Sequence, residues 1–276
     1  MFDRAFSSRI EGGEDVRELT ILKLGGSLIT DKEKTFTLRR DVLEDIGREL
    51  REVWPTPLII VHGGGSYAHP IAKTYRVSEG YKTPEHLKGF LETAKIVRRL
   101  NSEVVENLVN SGFPCIGIPA STFIITKNGR IETCNLDAFF TALDIGVTPI
   151  TCGDAVFDRV LKFTILSGDT IASYLSVRLK AKRIVFALDV DGVYIRDRVT
   201  GEVKLAEKLT PGMPIEVFKT VEEDVTGGII KKIEEGFEAA EKGVEVLLVN
   251  GLARGRIKSA IIGEETIGTR LSTKSP

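Results

Sequence analysis

Cysteine, net charge and long apolar runs are all scarce in this 276-residue sequence. Its three cysteines (Cys115, Cys134 and Cys152) are widely separated, and no two have the spacing of metal ligands. They therefore predict neither a cysteine metal site nor a disulfide framework. An odd, sparse set of thiols is typical of a reducing compartment, so we expect a cytoplasmic protein whose cysteines are small core residues.

The formal net charge of −1 argues against nucleic acid as a partner, because such binding needs a basic excess. No apolar run approaches the roughly 20 residues of a membrane span, so we expect no membrane partner either. Residues 1–18 are polar and charged and have no apolar signal-peptide core. We expect them to form a loose N-terminal extension.

Glycine is present in runs, and the most informative run follows the apolar stretch Leu58–Val61. Gly63–Gly65 comes directly after this predicted buried strand and is flanked by His62 and His69, two of only three histidines. Successive glycine amides at the junction of a strand and a helix form a concave set of donors suited to phosphate. Taken alone, the stretch also fits a tight turn with two incidental histidines.

A second glycine turn, Gly25-Gly26-Ser27, follows the short predicted strand Thr20–Leu24. Apolar residues recur every four positions from Leu38 to Val53, which predicts a helix between the two strands. The opening is therefore a β-α-β unit with a glycine turn after each strand. In an open parallel sheet both turns lie at the carboxyl ends of the strands, where ligands bind.

The same alternation of strands and helices continues along the chain. It predicts a three-layer α/β/α sandwich on an open, mainly parallel sheet. Local signals within it are a hairpin at Asn128-Gly129, a second hairpin over 155–166, a helix capped by Asn135, a helix capped by Ser167, and an edge segment at 268–270.

Two of the glycine turns have lysines close by in the sequence. Lys23 and Lys32 lie on either side of the first turn, and Lys231 and Lys232 follow the turn at Gly227-Gly228. An enzyme that moves a phosphoryl group between two anions needs such amides and fixed positive charge. Lys23 is the most informative of the four, because it lies inside an apolar strand where an unpaired ammonium would be costly.

Two common phosphate motifs give little support to other classes of protein. No Gly-Lys-Ser/Thr tripeptide occurs, so the Walker A motif is absent. Residues 63–68 satisfy the dinucleotide fingerprint in its Gly/Ala form, which leaves a dinucleotide-binding oxidoreductase as an alternative. That fingerprint also needs an acidic residue at the end of the next strand. The candidates at the required distance, Glu79 and Glu85, fall in a polar loop and at a helix start.

Five motifs resemble, in order, those of the amino acid kinase family over nearly all of residues 20–270. They are Lys23–Ser27, His62–Gly65, Ser167-Gly168-Asp169, Asp189–Tyr194 and Asp224–Gly228. Thr30-Asp31-Lys32 and Ser66–Pro70 are similar to the members that phosphorylate isopentenyl phosphate, and relatives acting on carboxylates lack the second histidine. The chain departs from the family pattern at Thr170, where the second aspartate of Ser-Gly-Asp-Asp is usual, at Leu188 and at Ile229.

The resemblance implies an ATP-dependent kinase that converts isopentenyl phosphate to isopentenyl diphosphate by direct in-line transfer. It implies that residues 19–180 form an N-terminal lobe for the acceptor and residues 181–276 a C-terminal lobe for ATP. Mg²⁺ would bind through phosphates and water rather than through a protein metal site, and relatives are commonly homodimers. The nearest alternative is a kinase of the same fold with another acceptor, such as a fosfomycin kinase; a non-catalytic ligand sensor is a further one.

The resemblance also implies roles for individual residues. The residues expected to be catalytic are Lys23, Lys32, His69 and Lys232. Those expected to bind ATP are Lys23, Gly25, Gly26, Ser27, Gly65, Asp189, Gly227, Lys231 and Lys232, and family spacing favours Lys232 over Lys231. Those expected to bind the acceptor phosphate are Gly64, His69, Gly153 and Asp154, with the apolar tail near Tyr67, Ile71, Tyr75 and the helix after Pro84.

Overall fold

The computed structural model of the chain describes residues 18–196, 200–216 and 228–273. Within these ranges the strands are β1 (Thr20–Leu24), β2 (Leu58–His62), β3 (Cys115–Gly117), β4 (Ile124–Lys127), β5 (Arg130–Cys134), β6 (Thr148–Cys152), β7 (Asp154–Asp158), β8 (Lys162–Leu166), β9 (Arg183–Leu188), β10 (Tyr194–Arg196), β11 (Val203–Leu205), β12 (Lys208–Leu209), β13 (Ile215–Glu216), β14 (Glu245–Asn250) and β15 (Gly268–Leu271). The predicted extension over residues 1–18 falls outside the described residues except for Glu18.

The helices of the same ranges connect these strands. They are α1 (Gly26–Ile29), α2 (Arg40–Val53), α3 (Gly65–Thr74), α4 (Pro84–Asn110), α5 (Ala120–Phe123), α6 (Asp137–Asp144), α7 (Gly168–Arg178), α8 (Gly228–Glu241) and α9 (Arg256–Ile262). Among the described residues no helix is both long enough and apolar enough to cross a membrane.

Within the described ranges the main sheet has eight strands, in the order β12-β15-β14-β9-β1-β2-β6-β3. The six from β14 to β3 run parallel, whereas β15 is antiparallel to β14. The predicted open, mainly parallel sheet is therefore confirmed. One detail was wrong: the predicted edge segment is β15, and the two-residue strand β12 pairs outside it. So short a strand carries no periodic pattern by which a sequence could reveal it.

Side chains of the central strands alternate between two apolar layers. In β1, Ile21 packs in the cluster with α7 and α8, whereas Leu22 and Leu24 pack in the cluster with α2, α4 and α9. Both faces of the strand are buried, as the composition predicts for a central parallel strand. Helices cover both faces, which confirms the three-layer α/β/α sandwich.

The strands of both predicted lobes belong to this one sheet, because β1 pairs directly with β9. The described part of the chain also forms two smaller sheets, β5-β4-β7-β8 and β11-β10-β13. Both predicted hairpins are present in the first of these, and Asn128 and Gly129 have the positive φ angles of their turn type.

Of the two predicted helix caps, one is confirmed and one was wrong by one position. The Ser167 hydroxyl accepts hydrogen bonds from the Asp169 and Thr170 amides at the start of α7. At α6 the N-cap residue is Leu136, and the Asn135 side chain accepts a hydrogen bond from the Asp137 amide. The Asn135 oxygen still satisfies a free amide of the first turn, from one residue farther out.

Candidate active site

The first two glycine turns and a third turn, at Gly153, lie at the carboxyl ends of the neighbouring strands β1, β2 and β6, and the first amide of each donates to a carbonyl at the end of an adjacent strand. The Gly25 amide donates to the Ala187 carbonyl (2.9 Å), and the Gly63 amide donates to the Leu24 carbonyl (3.0 Å). The Gly153 amide donates to the His62 carbonyl (3.0 Å). The amide of Gly153, which was expected to bind the acceptor phosphate, is therefore engaged within the protein, and so is that of Gly25.

The first two turns approach each other backbone to backbone. A Cβ on Gly26 would lie 2.6 Å from the Gly65 amide nitrogen, which leaves no room for a side chain. Gly65 also has a φ of +47°, a conformation that favours glycine. Since Gly26 starts α1 and Gly65 starts α3, amides without intrahelical partners come from both helices at one place.

Thr30 joins these two turns through its buried side chain. Its hydroxyl donates to the Gly26 carbonyl (2.7 Å) and accepts from the Ser66 amide (3.1 Å). The Thr30-Asp31-Lys32 motif therefore contributes one residue that fixes the glycine turns and one lysine on the loop that follows.

Lys23, Asp169 and Lys232 form a buried cluster beneath the turns. Lys23 lies in β1 and is only 2% exposed, and its Nζ is 2.7 Å from Asp169 Oδ1. Lys232 approaches the other carboxylate oxygen from α8, with Nζ 3.3 Å from Oδ2. One carboxylate thus holds two of the predicted catalytic lysines side by side.

The charge balance of this cluster explains why it can be buried. Burial raises the pKa of Asp169, but the ion pairs with Lys23 and Lys232 outweigh burial and hold that pKa below its usual value. Asp169 therefore stays ionised at neutral pH. The cluster has one more positive charge than negative, so it presents net positive charge at the sheet edge.

Lys32 belongs to a second, more exposed ion pair. Its Nζ is 3.1 Å from Asp189 Oδ2, and the Ser27 hydroxyl donates to Asp189 Oδ1 at 3.2 Å. Burial raises the pKa of Asp189, but the ion pair with Lys32, together with hydrogen bonds from a backbone amide and from Ser27, holds that pKa below its usual value. Asp189 follows β9 directly, so this pair ties the loop after α1 to the neighbouring strand end.

The remaining predicted site residues differ in how exposed they are and in what they contact. His69 is exposed on α3, and Gly64 is the N-cap residue of the same helix. The Asp154 carboxylate is buried and accepts from the Ser121 amide, so it stabilises the start of α5. Lys231 is exposed, whereas the neighbouring Lys232 is the lysine at Asp169. Gly227 lies outside the described residues.

The residues expected to surround an apolar tail separate into two places. Tyr67 is almost fully buried in the cluster with α2 and α4, and its hydroxyl donates to Glu103 (3.0 Å). Tyr75 packs instead with Val77 and Phe90 in a separate cluster beside the four-stranded sheet. The two tyrosines, both on or next to α3, therefore pack against different parts of the core.

Asp169 is the main site residue that sequence reasoning did not assign. Its signal was present, because Ser167-Gly168-Asp169 was recognised as a motif and Lys23 as a lysine that needs a partner. His62 is also more than a flanking histidine: it is fully buried, with Nε2 3.0 Å from Asn101 Oδ1. Burial lowers the pKa of His62, which keeps the ring neutral.

Two other expectations concern ligands. Among the residues that the structure describes, no group of three or more His, Cys, Asp or Glu side chains could hold a metal ion. The acidic residues required by the dinucleotide fingerprint do not follow a strand: Glu79 ends the 3-10 helix Val77–Glu79, and Glu85 is in the first turn of α4.

Main-chain donors and a net positive lysine cluster at the carboxyl edge of one α/β sheet suit the handling of phosphate groups. A model of the amino acid kinase family matches residues 18–250, and the chain belongs to that family. It is 38% identical over 265 residues to the isopentenyl phosphate kinase of Methanothermobacter thermautotrophicus, a match that covers 93% of this chain and 100% of the relative.

Two further comparisons agree with that match. The isopentenyl phosphate kinase of Methanocaldococcus jannaschii is 32% identical over 262 residues, which cover 89% of this chain and 96% of the relative. An X-ray structure of an isopentenyl phosphate kinase superposes with a TM-score of 0.79 at 36% identity, covering 92% of this chain and 100% of the other.

Proposed function

We propose that this protein is an ATP-dependent kinase that phosphorylates isopentenyl phosphate to isopentenyl diphosphate. The observation that carries the proposal is the Lys23–Asp169–Lys232 cluster beside the paired glycine turns, in a chain similar over nearly its whole length to isopentenyl phosphate kinases. Family membership disfavours the dinucleotide-binding oxidoreductase, as do the positions of Glu79 and Glu85.

The chemistry asked of the residues is mainly electrostatic. An acceptor that is already a phosphate oxyanion needs no general base, so the site has to bring two anions together in line. Lys23 and Lys232 supply fixed positive charge for the transferring group, and Asp169 keeps both ammonium groups in place. The buried setting strengthens these interactions, because little water screens them.

The other predicted residues have supporting roles. Lys32 and Ser27 exchange their contacts with Asp189 for contacts with ATP phosphates, while amides of Gly26 and Gly65 bind phosphate oxygens. His69 donates a hydrogen bond to the acceptor phosphate from α3, together with the Gly64 amide.

We also propose the finer features that the resemblance implies. Mg²⁺ accompanies ATP and is bound through phosphate oxygens and water. Residues 19–180 form the lobe that binds the acceptor and also supply glycine turns and lysines that contact the ATP phosphates, and residues 181–276 form the lobe that binds the rest of ATP. The enzyme is a cytoplasmic homodimer.

A coupled ADP-release assay tests the proposal with three acceptors: isopentenyl phosphate, dimethylallyl phosphate and fosfomycin. We expect the highest kcat/KM with isopentenyl phosphate, and no ADP release above background from a Lys23→Met variant used as a control for contaminating kinases. Faster turnover of fosfomycin would replace the proposed acceptor. ATP binding with no turnover of any acceptor would favour a ligand sensor.

A further inference from the structure

Thr170, a position at which the chain departs from its family pattern, makes a specific contact between two helices. Its hydroxyl donates to Glu235 Oε1 at 2.5 Å, from the first turn of α7 to the middle of α8. One turn farther along α7, the buried Ser173 hydroxyl donates to the Glu235 main-chain carbonyl at 2.7 Å. Glu235 is therefore held by α7 at both its side chain and its backbone.

This contact lies directly beside the lysine cluster. Thr170 follows Asp169 in the sequence, and Glu235 is three residues after Lys232 and therefore on the same face of α8. The Asp169–Lys232 and Thr170–Glu235 contacts are thus neighbours between α7 and α8. Lys232 reaches Asp169 over 3.3 Å and also donates to the Gly228 carbonyl at 3.0 Å. The position of its ammonium group thus depends on how α8 is seated on α7.

The side chain at position 170 decides whether the Glu235 carboxylate can be accommodated next to α7. An aspartate in place of Thr170 would set a second carboxylate against Glu235, and two like charges at that separation disfavour each other. A threonine hydroxyl instead donates to the carboxylate. Burial raises the pKa of Glu235, and the hydrogen bond from Thr170 opposes that rise.

We propose that Thr170 and Glu235 are positioning residues that seat α8 on α7 and thereby place Lys232 for phosphoryl transfer. This inference rests on the proposed kinase function. The two residues act through Lys232, so their loss should lower kcat while the KM for the acceptor stays nearly constant. Misplacement of a charge by a fraction of an ångström to one ångström is enough for a fall of about tenfold or more.

The test compares Thr170→Val, which keeps the shape but loses the hydroxyl, with Thr170→Ser, which keeps the hydroxyl. We expect kcat to fall about tenfold in Thr170→Val, and to stay within about twofold of the wild type in Thr170→Ser. The KM for isopentenyl phosphate should change by less than about twofold in both. Thr170→Asp should be at least as impaired as Thr170→Val, and adding Glu235→Gln to it should restore most of the loss.

Hydrogen–deuterium exchange of residues 228–241 provides a readout that needs no turnover. It should be faster in Thr170→Val than in the wild type, and unchanged in Thr170→Ser. Wild-type kcat in Thr170→Val, or equal losses in Thr170→Val and Thr170→Ser, would overturn the inference. Inactivity of the wild-type protein toward isopentenyl phosphate would overturn the proposed function, whereas the exchange comparison would still decide the helix contact.

Discussion

The two ion pairs at the carboxyl edge of the main sheet differ most in how far water reaches them. In the Lys23–Asp169 pair the side chains are 3% and 12% exposed; in the Lys32–Asp189 pair they are 42% and 27% exposed. Both join a lysine near the first glycine turn to a carboxylate on another element. The first pair is part of the protein interior, and the second is at its surface.

The difference in exposure indicates different roles for the two ion pairs. A buried lysine between fixed partners keeps its position and needs no reorganisation when charge develops nearby. An exposed pair contributes little to stability and can be exchanged for another anion at small cost. We therefore expect Lys23 to be a permanent part of the site, and Lys32 to change partners when ATP binds.

Lys23→Met should have the largest effect, because it removes a fixed charge and leaves Asp169 with one partner fewer. We expect kcat to fall about 10³-fold and the free energy of unfolding to fall by about 3 kcal/mol. Steady-state kinetics and urea denaturation measure the two. An active variant with unchanged stability would show that the buried pair is not what distinguishes the two regions.

Lys32→Met should lower kcat about 10²-fold, and should change the free energy of unfolding by no more than about 0.5 kcal/mol. Lys34→Met, on the same exposed loop, is the matched control and should leave kcat unchanged. A loss of stability as large as that of Lys23→Met would contradict the contrast between the pairs.

His69→Ala should raise the KM for isopentenyl phosphate about tenfold and lower kcat, since one hydrogen bond to a charged group is lost. The KM for ATP should be nearly unchanged. His86, which accepts a hydrogen bond from the Thr83 amide at the start of α4, gives the control variant His86→Ala. Wild-type kinetics in His69→Ala would remove this histidine from the site.

Substitution of Asp158 should have the smallest effect on activity, because its carboxylate accepts hydrogen bonds from main-chain amides and a threonine rather than pairing with the lysines of the site. Burial raises its pKa, but hydrogen bonds from the Gly129, Leu161 and Val160 amides and from Thr126 lower it to about 2. Asp158→Asn should leave kcat unchanged and lower the free energy of unfolding at pH 7 by about 2 kcal/mol.

The pH dependence of that difference has a definite direction. The pKa is depressed on folding, so the stabilising contribution is complete above the unfolded value of about 4 and declines as the pH falls toward 2. Urea denaturation of wild-type and variant protein between pH 7 and pH 2 should show the gap closing. A gap that is constant with pH would mean that ionisation of Asp158 does not stabilise the fold.

The parts of the fold that were predictable depend on local patterns. The β-α-β opening, the glycine turns and the Asn128-Gly129 hairpin follow from periodicity and turn chemistry within a few residues. The parts that were not predictable depend on pairings far apart in the chain. Strand β12 adds only two residues to the sheet, and the division of Tyr67 and Tyr75 between two clusters depends on how α3 sits between them.

The same distinction holds for the candidate site. The position of Lys23 in an apolar strand indicated that it needs a partner of opposite charge. That the partner is Asp169 follows from the packing of α7 on β1, which the sequence does not reveal. The sequence also could not show which main-chain amides are free to bind a ligand. The Gly25 and Gly153 amides donate to carbonyls of neighbouring strands, and which strands are neighbours depends on the strand order of the sheet.

The central claim is that the protein transfers a phosphoryl group to a phosphate acceptor and needs the buried lysine cluster to do so. Phosphorus NMR of the protein with ATP and isopentenyl phosphate, run in parallel with the Lys23→Met variant, tests this claim most directly. In the wild-type sample we expect the monophosphate resonance to be replaced by the paired resonances of a diphosphate as ATP becomes ADP, with conversion about 10³-fold slower in the variant. No diphosphate in the wild-type sample, or equal rates in the two, would contradict it.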